Sequence, residues 1–266
     1  MGTYLAAEGP DAEGEVAYGL SIGYRGIDTA AIYRNEQSVG RAIKASGVPR
    51  ADLFVATKVW NSDQGYEQTL AAFERSLGRL GLEYVDLYLV HWPDSGKARG
   101  TWRAMEELRA GGKTRAIGVC NHLESDLDDL LSHATVPPAI DQVELHPYLQ
   151  RASLREHCGR HSITVQAWAP IMKGRAGTVA GLVEIGRAHG KSPAQVSLRW
   201  LLQHGICAIP KSIHPERIAE NANIFDFELG EQEMARIDSL ERDKKMGIGP
   251  EVTARVSRWA RRVGRR

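Results

Sequence analysis

The chain has 266 residues, with 34 Lys and Arg against 33 Asp and Glu and a formal net charge of +1. Its 42% apolar and 25% charged content excludes wholesale disorder, and the near-zero balance argues against a dedicated nucleic-acid binder. No run approaches the roughly 18 apolar residues of a membrane span, no secretory leader follows Met1, and Cys120, Cys158 and Cys207 lack metal-ligand spacing, so a reducing, cytoplasmic protein is expected.

In chain order, a strand stub at residues 2–4 precedes a helical stretch at 8–23 and an apolar run at 24–29. A second helix is expected over 35–46 and a strand over 53–58. Tyr66, Leu70, Phe73, Leu77 and Leu80 then form one apolar stripe at helical spacing. A strand over 85–91, a helix over 100–111, and strands over 116–120, 139–143 and 163–167 follow. Helices over 177–189 and 192–203 and a strand over 206–210 complete the pattern. Gly23, Gly47, Gly81 and Gly190 each follow a periodic stretch, as a C-terminal cap glycine does.

Strands alternating with helices imply a parallel sheet, and seven strands plus the stub suffice for a (β/α)8 TIM barrel. No low-complexity linker divides the chain, so residues 1–250 are expected to be one domain. Residues 251–266 carry six arginines and one acid, a charge of +5 that leaves −4 elsewhere. This tail reads as a solvated basic terminus able to touch anionic partners.

A barrel carries its working residues just past the C-terminal ends of its strands. Asp28 and Tyr33 stand there in IDTAAIYRNE, Lys58 in VATKVWN and His91 in LYLVHWP. Asn121, Gln142, Glu144, Trp168, Lys211 and Ser212 occupy the corresponding places after later strands. Each alone has a structural explanation, as a buried hydrogen-bonded group or a cap. Their joint placement at one mouth points to a site.

The segments IDTAAIYRNE, VATKVWN, LYLVHWP, AIGVCNH, DQVELHP, QAWAPI and IPKSIHPERIAEN, in this order, resemble the aldo-keto reductases. The subgroup resembled most is that of bacterial 2,5-diketo-D-gluconate reductase-like enzymes. The resemblance implies a TIM barrel that reduces small carbonyl substrates with NADPH, without metal or flavin. A monomer with no nucleic-acid or membrane partner is expected. It also implies a catalytic tetrad of Asp28, Tyr33, Lys58 and His91. Delivery of hydride to a carbonyl builds charge on oxygen, so a proton donor must stand at that oxygen. Tyr33 is the expected donor, with Lys58 lowering its pKa, Asp28 holding the ammonium and His91 orienting the substrate oxygen.

The same matching implies that Trp168 stacks on the nicotinamide and that Cys120, Asn121 and Gln142 bond its carboxamide. Cys120 stands where relatives more often have Ser. Thr3, Tyr4 and Asp28 are expected beside the cofactor. Lys211, Ser212 and Arg217 are expected on a 2′-phosphate, which favours NADPH, and Glu220 and Asn221 on the adenine. No G-x-G-x-x-G fingerprint follows a strand. Tyr4, Trp60, His91 and Trp92 should line the substrate pocket together with residues 244–250. Three departures from the family pattern are expected to matter: a truncated first strand without the N-terminal hairpin that plugs the barrel floor, a short 171–178 loop, and a divergent tail. Two other readings are open: Lys58 as a Schiff-base nucleophile, and a catalytically weak barrel serving as a binding scaffold.

Overall fold

The computed structural model describes residues 1–247. The expected domain boundary, the basic tail and residues 248–250 of the pocket segment lie outside the described residues. Seven strands form one sheet: β1 Gly26–Asp28, β2 Phe54–Val59, β3 Val85–Val90, β4 Thr114–Cys120, β5 Ile140–Glu144, β6 Thr164–Trp168 and β7 Cys207–Ala208. They lie in sequence order and every pairing is parallel. The helices are α1 Pro10–Ser21, α2 Glu36–Ala45, α3 Tyr66–Leu80, α4 Ala98–Ala110, α5 Glu124–Leu131, α6 Ala152–Arg160, α7 Ala180–His189, α8 Pro193–Gln203, α9 Pro215–Ala222 and α10 Glu231–Asp238.

The expected stub at 2–4 is a single bridge, Gly2 to Asp28, rather than a strand. Its backbone nevertheless contacts both sheet edges. Asp28 N–H donates to Met1 O at 2.9 Å, Thr3 N–H to Asp28 O at 3.0 Å, and Gly2 N–H to Pro210 O at 3.0 Å. The last strand spans two residues rather than 206–210, although Ile209 N–H still reaches Ala167 O at 3.1 Å. Pro210, with no N–H to donate, cannot extend the ladder.

Strand alternation sorts the apolar residues into two packed sets. Val55, Val59, Tyr88, Val90, Ile117, Val119 and Val143 join the large cluster shared with the helices. The alternate positions Ala56, Leu87, Leu89 and Cys120 form a separate small cluster on the opposite face. Lys58 pairs in register with Leu89 and is in phase with Ala56, so the strands deliver it to that second face.

Helix ends follow local chemistry. Gly81 and Gly190 adopt left-handed φ values of 64° and 63° as caps of α3 and α7. At the start of α8, Ser192 Oγ accepts from Gln195 N–H while Gln195 Oε1 accepts from Ser192 N–H, a reciprocal cap. Gly40 lets α2 approach α3, because a Cβ there would stand 2.2 Å from Leu80 O.

Candidate active site

The turn after β1, a 3-10 helix over Ala31–Tyr33 closed by left-handed Arg34, returns Tyr33 over the strand ends. Asn35 fixes that turn: its Nδ2 donates to Thr3 O and Ala6 O, and its Oδ1 accepts from Thr29 Oγ1. Asp28 and Lys58 meet from adjacent strands, with Nζ 2.5 Å from Oδ1, and both are buried. Lys58 Nζ also donates to Thr29 O at 3.0 Å and lies 5.1 Å from the Tyr33 ring centre. His91, just past β3, meets Tyr33 edge-on at 5.6 Å and Trp60 edge-on at 5.2 Å between ring centres. Tyr4 lies 5.1 Å from Tyr33 on another side. The four tetrad residues therefore converge.

The charge states differ from one expectation. Burial raises the Tyr33 pKa above the ordinary tyrosine value; Lys58 opposes the shift but does not cancel it. The lowered phenol pKa expected from the sequence is thus corrected, because desolvation of the phenolate outweighs the ammonium. For Lys58 burial favours the neutral amine, yet Asp28 and its other neighbours raise the pKa overall. An ammonium so held lacks the free amine that a Schiff-base mechanism needs. Burial first, then Lys58, holds His91 well below its usual pKa, so its imidazole is neutral. Its Nδ1 is buried with no hydrogen-bond partner among the described residues.

Around this cluster, Trp168 Nε1–H donates to Asn121 Oδ1 at 2.9 Å, and Asn121 Nδ2 donates to His91 O at 3.0 Å. Asn121 has a left-handed φ of 60°, which an Asn side chain tolerates. Gln142 Nε2 donates to Asp28 Oδ2 at 2.8 Å and to Gln166 Oε1 at 2.7 Å. Its donors are committed to the Asp28 network. Cys120 is fully buried, and burial raises its thiol pKa well above normal. Thr3 is buried and donates from Oγ1 to Asp28 O at 3.1 Å. Trp60 and Trp92 are half-buried at the strand ends, whereas Tyr4 is 51% exposed.

A second group of expected residues gathers at α9. Ser212 Oγ accepts from His214 N–H at 3.1 Å just before the helix. Half-buried Lys211 precedes it and exposed Arg217 lies in its first turn. Neither forms an ion pair within 4 Å among the described residues. Glu220 and buried Asn221 lie in the last turn of α9.

Of two further contributors, Gln166 was not named from the sequence, and Glu144 was placed at the mouth without a role. Gln166 orients Gln142; it lies two residues before Trp168, so strand parity alone places both on one face. Glu144 carboxylate accepts from the N–H groups of Met246 and Gly247 and pairs with His146 at 3.2 Å. Burial works against ionisation of Glu144, but these bonds lower its pKa overall. They pin the segment before residue 248 against Trp168, where a Cβ on Gly247 would stand 2.5 Å from the indole. In the 171–178 loop, which folds as two 3-10 turns, Arg175 reaches Met246 Sδ at 3.8 Å.

A buried cluster of titratable side chains at the C-terminal ends of a parallel α/β sheet lies where barrel enzymes keep their active sites. The chain belongs to the aldo/keto reductase family, whose profile matches residues 5–242. It is 51% identical over 251 residues to glyoxal reductase of Bacillus subtilis (strain 168), covering 94% of this chain and 91% of that one. It is 50% identical over 254 residues to 9,11-endoperoxide prostaglandin H2 reductase of Trypanosoma cruzi (strain CL Brener), covering 94% and 90%. Among solved structures, MGS-M4, an aldo-keto reductase from a Medee basin deep-sea metagenome library, superposes with TM-score 0.91 at 44% identity, over 94% of this chain and 93% of that one. A Bombyx mori aldo-keto reductase in complex with NADP gives TM-score 0.86 at 34% identity, over 93% and 90%.

Proposed function

We propose that the chain reduces small aldehydes, dicarbonyls or ketones with NADPH, and that Tyr33 is the proton donor. The observation carrying this reading is the convergence of Tyr33, His91 and the 2.5 Å Lys58–Asp28 pair at the strand ends. The donor set also fits a phosphorylated dinucleotide. Lys211 and Arg217, free of ion pairs among the described residues, flank the N-terminus of α9, where backbone N–H groups and the helix dipole favour an anion. Lys211, Ser212 and Arg217 would hold the 2′-phosphate, Glu220 and Asn221 the adenine, and Trp168, Asn121, Gln142 and Cys120 the nicotinamide, with Thr3, Tyr4 and Asp28 alongside. When bound, the dinucleotide supplies the hydride.

The chain's own part is the proton and the orientation. Tyr33 enters reduction protonated, since its pKa lies above the ordinary value. As charge develops on the substrate oxygen, the phenol proton moves to it, and the buried Lys58 ammonium stabilises the phenolate left behind. Asp28 keeps Nζ at that position, and Gln142 and Gln166 keep Asp28 in place. His91, neutral, can donate one hydrogen bond to the same oxygen without competing for the proton. Trp60 and Trp92 provide flat apolar walls, with residues 244–247 a third boundary, suiting small uncharged carbonyl substrates.

One relative's name points to a small dicarbonyl, glyoxal, in line with this reading, whereas the other's names an endoperoxide, whose reducible group is an O–O bond rather than a carbonyl. We also infer that residues 1–3 act as the eighth stave of the barrel, on the strength of their bonds to Asp28 and Pro210. Residues 1–250 are taken as one catalytic domain acting as a cytoplasmic monomer. The test is NADPH consumption by the purified chain with methylglyoxal, an aromatic aldehyde and a keto-sugar acid. Carbonyl-dependent oxidation of NADPH supports the proposal. NADPH binding by a folded protein with no turnover on any carbonyl would leave a binding scaffold instead.

A further inference from the structure

Outside the site, Asp128 of α5 meets His157 and His161 of α6 on the outer helical layer. One ligand atom from each of the three lies within 4.8 Å of the others. His157 and His161 are one helical turn apart, the second being the C-terminal cap of α6, and their ring centres are 4.9 Å apart. The His157 side chain is only 9% exposed. Its Nε2 stands 3.2 Å from Asp128 Oδ1, yet that atom has no aligned hydrogen-bond partner among the described residues. Close approach without an aligned hydrogen bond leaves both atoms with lone pairs available to a third group. Ligands on a tetrahedral zinc, with bonds of about 2.0–2.2 Å, stand roughly 3.3–3.5 Å apart, close to the separation already present between His157 and Asp128.

We propose that Asp128, His157 and His161 form a binding site for a zinc-like divalent cation, with water completing the tetrahedron. Two imidazoles and one carboxylate suit zinc or cobalt better than magnesium or calcium, which require oxygen shells. Asp128 and His161 are exposed, so the ion has a path from solvent, and His161 at the helix end can close the remaining gap. Coordination through His157 Nε2 places the ring proton on Nδ1, now 3.4 Å from Arg160 Nη2. Arg160 can withdraw, because its side chain is 57% exposed and already paired with Glu156 at 2.8 Å. His161 lies just before β6 begins at Thr164, at the end of the sheet opposite Lys58 and His91. The ion would therefore tie α5 to α6 rather than touch substrate.

The test uses the chelator-treated full chain titrated with Co2+ and then Zn2+, followed by visible absorption and calorimetry. Expected are one ion per chain at a Kd on the order of micromolar, a tetrahedral cobalt spectrum without thiolate bands, and a higher Tm with zinc. His161→Ala and Asp128→Asn, both at exposed positions, should each weaken binding at least about tenfold and remove the zinc-dependent rise in Tm, with carbonyl turnover unchanged. Three results would overturn the site: no binding up to about millimolar metal, equal binding by wild type and His161→Ala, or a thiolate band marking a cysteine as the ligand.

Discussion

Tyr33 keeps its proton because placing a phenolate among buried groups costs more than Lys58 returns. The proton-donating form therefore persists above the ordinary tyrosine pKa of about 10, and reduction loses activity only as pH rises through the raised value. His91, held well below its usual pKa, is neutral on both sides of pH 6.5. The kcat for reduction should thus be level between about pH 5.5 and 9. A kcat limb near 6.5 that disappears in His91→Gln would contradict this. Glu15 on α1 is a separate case: its carboxylate oxygens are buried without a well-aligned hydrogen-bond partner among the described residues, and burial raises its pKa from 4.5 to about 8, against lowering by Lys211, the N-terminus and the Ser212 backbone. Between those values the folded state holds a proton that the unfolded chain releases. Stability is therefore lost as pH rises through that window and is level above it. Glu15→Gln should stabilise the protein at pH near 8.5 by on the order of 2–4 kcal/mol more than at pH near 5. Thermal melts showing the same gain at both pH values would rule this out.

In the proposed function, helix α9 carries the cofactor discrimination. Lys211 and Arg217 flank its N-terminus, so their charges add to a dipole already suited to phosphate. Replacing both with Ala should weaken NADPH by about 10²-fold or more and NADH far less, since NADH lacks the 2′-phosphate. Fluorescence titrations showing equal loss for the two cofactors would remove the clamp assignment. The same element shows what the sequence leaves unread. Short helices with one or two buried apolar positions, such as α5 with Leu127 and Leu130, α6 with Leu154 and Cys158, α9 with Ile218 and α10 with Ile237, give too few repeats for periodicity to register. The long helices α1, α3 and α8 and the strands were legible to within about two residues, because glycine caps and apolar runs bound them.

Across the whole molecule, the parallel order of seven strands brings residues from Asp28 to Trp168 into one contact network. The convergence of Asp28, Tyr33, Lys58 and His91 was readable because a barrel sends strand ends to one mouth and because seven short segments carried the family resemblance. What could not be read is desolvation: nothing in the residue order tells that burial would outweigh Lys58 at Tyr33. Nor does the order show that Gln142 spends both donors on Asp28 and Gln166, since that bond spans 114 positions. The backbone bonds of residues 1–3 to both sheet edges likewise depend on tertiary closure. The central claim, that this closure delivers Tyr33 as the proton donor, is tested most directly by comparing wild type with Tyr33→Phe in NADPH-dependent reduction of methylglyoxal. The mutant should lose at least about 10²-fold in kcat while binding NADPH as wild type does. Undiminished turnover in that mutant would contradict the account.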